Sequence, residues 1–131
     1  MCSRWGDPRV LPFGCPGGDV ILQAMLQAFL NIVHYDMTAQ QAVEAPRFAT
    51  FSFPDSFPHV EVDRRLSVEA RIPAAVREDL ARRGHRVHGW PPLEFDAGGV
   101  GLLVELESPD PARRVFAAGA DPRRSCYAQG R

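Results

Sequence analysis

The stretch that most constrains this chain is residues 13–33, where a Phe-Gly-Cys-Pro-Gly-Gly-Asp turn runs into a segment that is apolar at nearly every position. After Asp19 the polar positions are Gln23, Gln27, Asn31 and His34, spaced to form one narrow seam on a helix. Val20, Ile21, Leu22, Met25, Leu26, Phe29, Leu30, Ile32 and Val33 cover the rest. A helix apolar almost all round is a buried helix, and 131 residues offer little protein to bury it. The pattern therefore predicts that the chain is one piece of something larger. A membrane span is the weaker alternative, because the run is short and broken by amides. The glycine pair at the entry turns backbone amides toward whatever precedes the helix, which predicts an anion or oxyanion site. Asp19 is expected there as the N-cap or as a first-turn carboxylate.

Charge and cysteine usage narrow the class. A formal net charge of -1 removes any global electrostatic case for nucleic acid or for an anionic membrane as a partner. All 15 basic residues are arginine, from which no partner follows. Cys2, Cys15 and Cys126 are few and odd in number, which argues against a disulfide framework and for a reducing compartment. Residues 1–8 lack the charged and apolar regions of a signal peptide, so a cytoplasmic location is the expectation.

Periodicity and breakers outline the elements. Residues 10–13 are expected as a short strand, followed by the long helix to about Tyr35. Thr38 caps a second helix through Ala45, with Gln41 completing a capping box and Pro46 stopping it. Strands are expected at 47–53 and 60–66, bracketed by Pro54 and Pro58. Residues 72–83 predict an amphipathic helix with Pro73 in its first turn and Gly84 at its end. Three further strands are expected at 86–90, 100–107 and 114–118. The class is α/β or α+β, in one domain spanning 1–131 that is expected to be incomplete.

Taken in order, several motifs resemble the C-terminal part of the small subunit of gamma-glutamyltransferases (gamma-glutamyltranspeptidases). They are Pro16-Gly17-Gly18-Asp19, Gln27 and Asn31 on the helix, and the segment 37–47 ending Ala45-Pro46-Arg47. Leu80-Ala81-Arg82-Arg83-Gly84-His85 and Gly119-Ala120-Asp121-Pro122-Arg123-Arg124 complete the set. Each is weak alone, but the ordered set is specific and covers about 13–130. Asp19 and the Ala-Gly-Ala-Asp-Pro-Arg ending resemble the bacterial gamma-glutamyltransferase-like branch.

The resemblance implies an N-terminal nucleophile hydrolase, of which this chain holds a portion of the layered αββα sandwich. In that family a precursor cleaves itself, and the exposed threonine attacks the γ-glutamyl carbonyl of glutathione or a related amide, its own amino group serving as base. The acyl group then passes to water or to an amino acid. Carried over by motif, Gly17 and Gly18 supply the oxyanion amides, Asp19 contacts substrate, and Arg47, Asp121 and Arg123 serve structure or maturation. The expected partners are a γ-glutamyl small molecule and the missing upstream part or large subunit; no cofactor and no metal are implied. No threonine precedes Pro16, and neither Thr38 nor Thr50 matches the nucleophile motif. The chain alone is therefore expected to be inactive.

Other chemistry stays open at this point. Cys15, ahead of a helix N-terminus, fits either a nucleophilic thiolate or a small buried thiol, and no local histidine is nominated as its base. His85 and His88 lie three apart, which on a strand puts them on opposite faces and denies them a shared ion. Arg47 reads equally as a maturation residue and as a strand-end ion pair, while Arg123 and Arg124 read as pins of the last turn. Two alternatives to the enzyme remain: a non-catalytic remnant that folds alone or binds an intact homologue as a structural module, and an unrelated anion-binding module built on Gly17, Gly18 and Asp19.

Overall fold

The computed structural model describes residues 11–56, 59–106, 110 and 112–129. The expectations for Cys2, for the N-terminal residues 1–8, for Val10 and for Glu107 lie outside them. Element order is β1 (Phe13–Gly14), α1 (Ile21–Val33), α2 (Ala39–Glu44), β2 (Phe48–Thr50), β3 (Arg65–Glu69), α3 (Ala74–Arg82), β4 (Arg86–Trp90), a 3-10 turn at Phe95–Ala97, β5 (Gly101–Leu106) and β6 (Val115–Ala120). They form two three-stranded sheets, ordered β1-β5-β6 and β2-β3-β4. The first is wholly antiparallel, whereas β3 and β4 run parallel and are joined by α3, the crossover that a parallel pair requires.

The main core is made by α1 and α2 lying on the first sheet. Ala24, Ala28 and Ile32, each four residues apart, bring one stripe of α1 against Val100, Leu102 and Val104 of the strand region and Ala39, Ala42 and Val43 of α2. Small alanines let the helix come close, and Phe13 stacks on Phe29 at 6.2 Å between ring centres. Burial all round is not what α1 has. Leu22 is 79% exposed and Leu26 57%, with Phe29, Leu30 and Val33 also open. The inward stripe takes two alanines and Ile32, and these large apolar side chains face outward, so the burial on every side that the sequence predicts is not met within this chain.

The polar seam of α1 faces a strand edge. The Gln23 side chain donates to Thr50 O at 3.2 Å and accepts from Thr50 N–H at 2.8 Å. One turn on, Gln27 donates to Phe48 O at 2.9 Å and accepts from Phe48 N–H at 3.2 Å. Two primary amides thus replace the missing neighbour of β2, satisfying its free backbone groups on that side. Asn31 continues the seam by donating to Ala42 O at 3.1 Å, and His34 leaves it to pack edge-on against Tyr35.

Other boundaries differ from expectation for local reasons. The capping box of Thr38 and Gln41 is present, and α2 stops before Pro46. The strand expected at 60–66 is instead β3, because Asp63 and Arg64 make a turn in which Arg64 adopts φ 54° and Arg65 N–H bonds Val62 O. Every residue of β3 from Leu66 to Glu69 is buried, so the strand lacks the alternation that marks a half-exposed one. The strand expected at 47–53 starts at Phe48, because Arg47 turns into the interior, and ends at Thr50, whose hydroxyl accepts from the Ser52 N–H.

Candidate functional site

β1 delivers the chain into the turn Cys15-Pro16-Gly17-Gly18-Asp19, which sits at the head of α1. Gly17 has φ 138° and Gly18 φ 65°, both in the region that side-chain-bearing residues avoid. Both are exposed, and neither amide finds a hydrogen-bond acceptor among the described residues. Two neighbouring N–H groups at the positive end of a 13-residue helix are thereby open to a negatively charged oxygen.

Asp19 does not cap that helix. The residue at the N-cap is Val20, which makes no side-chain bond, and the Asp19 carboxylate accepts from the Ser56 N–H at 2.9 Å and from the Ser56 hydroxyl. Ser56 offers two donors at once, and the bonds from its hydroxyl and N–H hold the carboxyl below its usual range. The turn is thus tied to the 52–56 loop.

Behind the turn lies a buried ionic cluster. Arg47, Glu69, Asp121 and Arg123 are each at most 4% exposed. Arg123 forks onto Glu69, its Nε donating to Oε1 at 2.7 Å and Nη2 to Oε2 at 2.8 Å. Its remaining donors reach Val43 O, Asp121 Oδ1 and Ala45 O. All five guanidinium N–H groups are therefore used. Glu69 also accepts from Arg47 N–H, Glu94 N–H and the Arg71 guanidinium. Burial alone raises the Glu69 carboxyl, but the bonds from Arg123 and then from the Arg47 N–H outweigh it and bring it below its ordinary value.

Arg47 links this cluster to the turn. Its guanidinium pairs with Asp121 at 2.6 Å and donates to Gly98 O at 2.7 Å and Val43 O at 3.0 Å. Asp121 also accepts from Val100 N–H at 3.0 Å, so the 97–100 segment is gripped from both ends. That segment forms the wall of the glycine turn: a Cβ built on Gly98 would lie 2.9 Å from Cys15 Sγ. Burial pushes the Cys15 thiol up, against the thiolate expected of a nucleophile.

The structure brings Arg47, Asp121 and Arg123 into one cluster and Gly17, Gly18 and Asp19 into one turn, with the 97–100 segment between them. Thr38 and Thr50 are committed elsewhere, the first to the cap of α2 and the second to Arg65 O and Ser52 N–H. Sequence reasoning missed Glu69. The only signal was an acid at the end of the Arg65–Glu69 strand, and that strand was expected to end three residues earlier. It also treated Arg124 as a simple pin. In fact Arg124 lies across Gly99 and over the Phe95 ring, with Nη2 3.4 Å from where a Cβ on Gly17 would stand.

The sequence profile of the gamma-glutamyltranspeptidase family matches residues 2–130. The Acylase ACY 1 proenzyme of Pseudomonas sp. (strain SE83) is 36% identical over 91 residues, which are 70% of this chain and 14% of that proenzyme. The Glutathione hydrolase proenzyme of Pseudomonas sp. (strain A14) is 45% identical over 47 residues, 36% of this chain and 8% of that protein. Among solved structures, acivicin-inhibited gamma-glutamyltranspeptidase superposes with a TM-score of 0.68 at 30% identity, covering 88% of this chain and 54% of its own. The cephalosporin acylase from Bacillus halodurans gives 0.67 at 26% identity, covering 91% of this chain and 18% of its own. The fold of this chain, two small sheets with helices packed on them, is thus shared with part of the N-terminal nucleophile hydrolases of this group.

Proposed function

The chain belongs to the gamma-glutamyltranspeptidase family, and on that premise we propose that its 131 residues form the C-terminal part of an amide-cleaving acyl-transfer enzyme whose nucleophilic threonine comes from another segment. The observation that carries this reading is the pair of exposed left-handed glycines at the head of α1, with amides free of partners among the described residues. When a threonine oxygen adds to a γ-glutamyl carbonyl, the carbonyl oxygen becomes an anion. The amides of Gly17 and Gly18 receive it, and glycine is suited because no Cβ obstructs their convergence. Preorganisation matters more than strength: donors already aimed at the oxyanion need not reorganise as charge develops.

The supporting parts have assigned tasks. Asp19, held by Ser56, fixes the exit of the turn and contacts substrate only through what lies beyond its two internal bonds. Arg47, Asp121 and Arg123 hold the 97–100 wall in place. Thr38 and Thr50 serve local structure, so the 131 residues by themselves turn over nothing.

A second reading concerns the acyl group. Identity to the acylase proenzyme extends over 91 residues, against 47 for the glutathione hydrolase. On that ground an amide other than glutathione is a donor to test beside it. The test is to combine the chain with the upstream segment bearing the threonine, then assay a γ-glutamyl anilide beside a cephalosporin side-chain amide. Rescued cleavage of either supports the enzyme reading and selects the donor. Assembly without cleavage turns the assignment to a non-catalytic remnant, and cleavage by the lone chain removes the need for an outside nucleophile.

A further inference from the structure

Arg124 occupies a slot that two glycines open for it. A Cβ on Gly99 would sit 2.1 Å from Arg124 Cγ and 2.9 Å from its Cβ, so the stem of the arginine lies flat on bare backbone. Gly99 adopts no left-handed conformation, and its missing side chain is explained by this close approach alone. Farther out, the guanidinium carbon stands 3.5 Å from the centre of the Phe95 ring, and Nη2 donates to Phe95 O at 3.1 Å. The same Nη2 is 3.4 Å from the position a Gly17 Cβ would take. The Nε is buried with no partner, so the side chain is held by stacking, shape and its bond to Phe95 O.

Three segments therefore meet on one side chain: the 95–99 wall beneath and beside it, the Asp121-to-Cys126 turn that carries it, and the glycine turn at its tip. Arg124 N–H bonds Asp121 O at 3.3 Å and its carbonyl accepts from Cys126 N–H at 2.8 Å, which fixes where the stem departs. Its positive charge is felt at Cys15 in the same turn. Arginine suits such a slot because its planar group stacks on an aromatic face while keeping its charge.

We propose that Arg124 is the positioning residue of the Gly17–Gly18 turn, holding the direction of the two amides and adding a fixed positive charge beside the oxygen they receive. The inference rests on the oxyanion reading given above. It adds that the turn needs Arg124 as a prop, and that Gly99 and Phe95 belong to the same device by making room for it and clamping it.

The experiment compares wild-type chain with Arg124→Met, Arg124→Lys, Gly99→Ala and the double variant Arg124→Met with Gly99→Ala. Each is assembled with the threonine-bearing segment and assayed on the amide that the wild type cleaves. Amide chemical shifts of Gly17 and Gly18 are recorded in parallel on the isotope-labelled chain. Arg124→Met, which keeps the stem volume, is expected to lower kcat by about 10-fold to 100-fold with KM changed less than about 3-fold. Gly99→Ala is expected to do the same by expelling the side chain, and the double variant to be no worse than either single one. Arg124→Lys, with charge but no stacking plane, is expected to fall between. The Gly17 and Gly18 shifts should move together in every variant.

Unchanged glycine shifts in Arg124→Met overturn the proposal whatever the assay shows, as do additive losses in the double variant. Moved shifts with an unchanged kcat overturn its catalytic half. If Gly17→Val also leaves turnover intact, the oxyanion reading itself is wrong, whereas loss in Gly17→Val with none in Arg124→Met removes only the role of Arg124.

Discussion

The buried ionic cluster and the glycine turn both concentrate hydrogen-bonding groups, yet they are organised in opposite ways. In the cluster every donor of Arg123 has an acceptor within the chain, and Glu69 is saturated by Arg123, Arg71, Arg47 and Glu94. In the turn the amides of Gly17 and Gly18 have none among the described residues. Polar groups satisfied internally make structure, because leaving any one of them unpaired in the interior is expensive. Polar groups held rigidly but left open are available to a ligand. The difference teaches where to look for function: the buried ionic cluster is scaffold, and the turn with open amides is the candidate site. Arg47 couples the two by holding Gly98, so the scaffold bears on the site through one short wall.

The comparison breaks most severely if the cluster is dispensable. Arg123→Met leaves the buried Glu69 without its forked partner and Asp121 with Arg47 alone, and about 3–5 kcal/mol of stability should be lost. Denaturant unfolding measures it, and a loss below about 1 kcal/mol would make the cluster ornamental. Next in size, Gly17→Val forces a branched side chain into a left-handed position beside Arg124. Turnover of the assembled enzyme should fall about 100-fold to 1,000-fold, near 3–4 kcal/mol of transition-state stabilisation. Retained activity would deny the turn its role.

Acid should separate the two regions further. Glu69 has a folded-state value below its ordinary 4.5, so its contribution is fully present above that pH and is lost as pH falls through the depressed value. Melting temperatures of wild type and Glu69→Gln, followed from neutral pH to about pH 3, should show a steeper acid decline in the wild type. Parallel curves would mean that another carboxylate governs the transition. Smaller still, Gln27→Ala removes two bonds to the edge of β2 and should cost about 1 kcal/mol. The smallest effect belongs to Asp79→Asn, which breaks exposed pairs with Arg82 and Arg83 and should change stability by less than about 0.5 kcal/mol.

Legibility followed the range of the interaction. The capping box of α2 depends on residues within a few positions of each other and stands where the sequence put it, as does the strand Arg86–Trp90, whereas α3 begins at Ala74 with Pro73 as its N-cap rather than inside its first turn. The strand expected at 60–66 moved because a left-handed Arg64 allowed a turn that hydropathy does not mark. Asp19 left the helix cap for Ser56, a partner 37 residues away. Of the candidate site and its support, the glycine turn was plain in the motif, whereas the Glu69 partner of Arg123 was not: the two are 54 residues apart, with no local pattern joining them.

By itself the sequence determined that 20–33 is helical, that a narrow polar seam runs along it, and that an ordered set of short motifs ties the chain to one family. Only the tertiary structure decided that Ala24, Ala28 and Ile32 face the core while Leu22 and Leu26 face out, that the seam completes a strand edge, and that Arg124 lies over Gly99 toward the glycine turn. Periodicity specifies which residues share a face of an element. Which face finds a partner, and which buried charge meets its counter-charge, depends on surfaces contributed by distant segments, and these come together only when the sheets and helices pack.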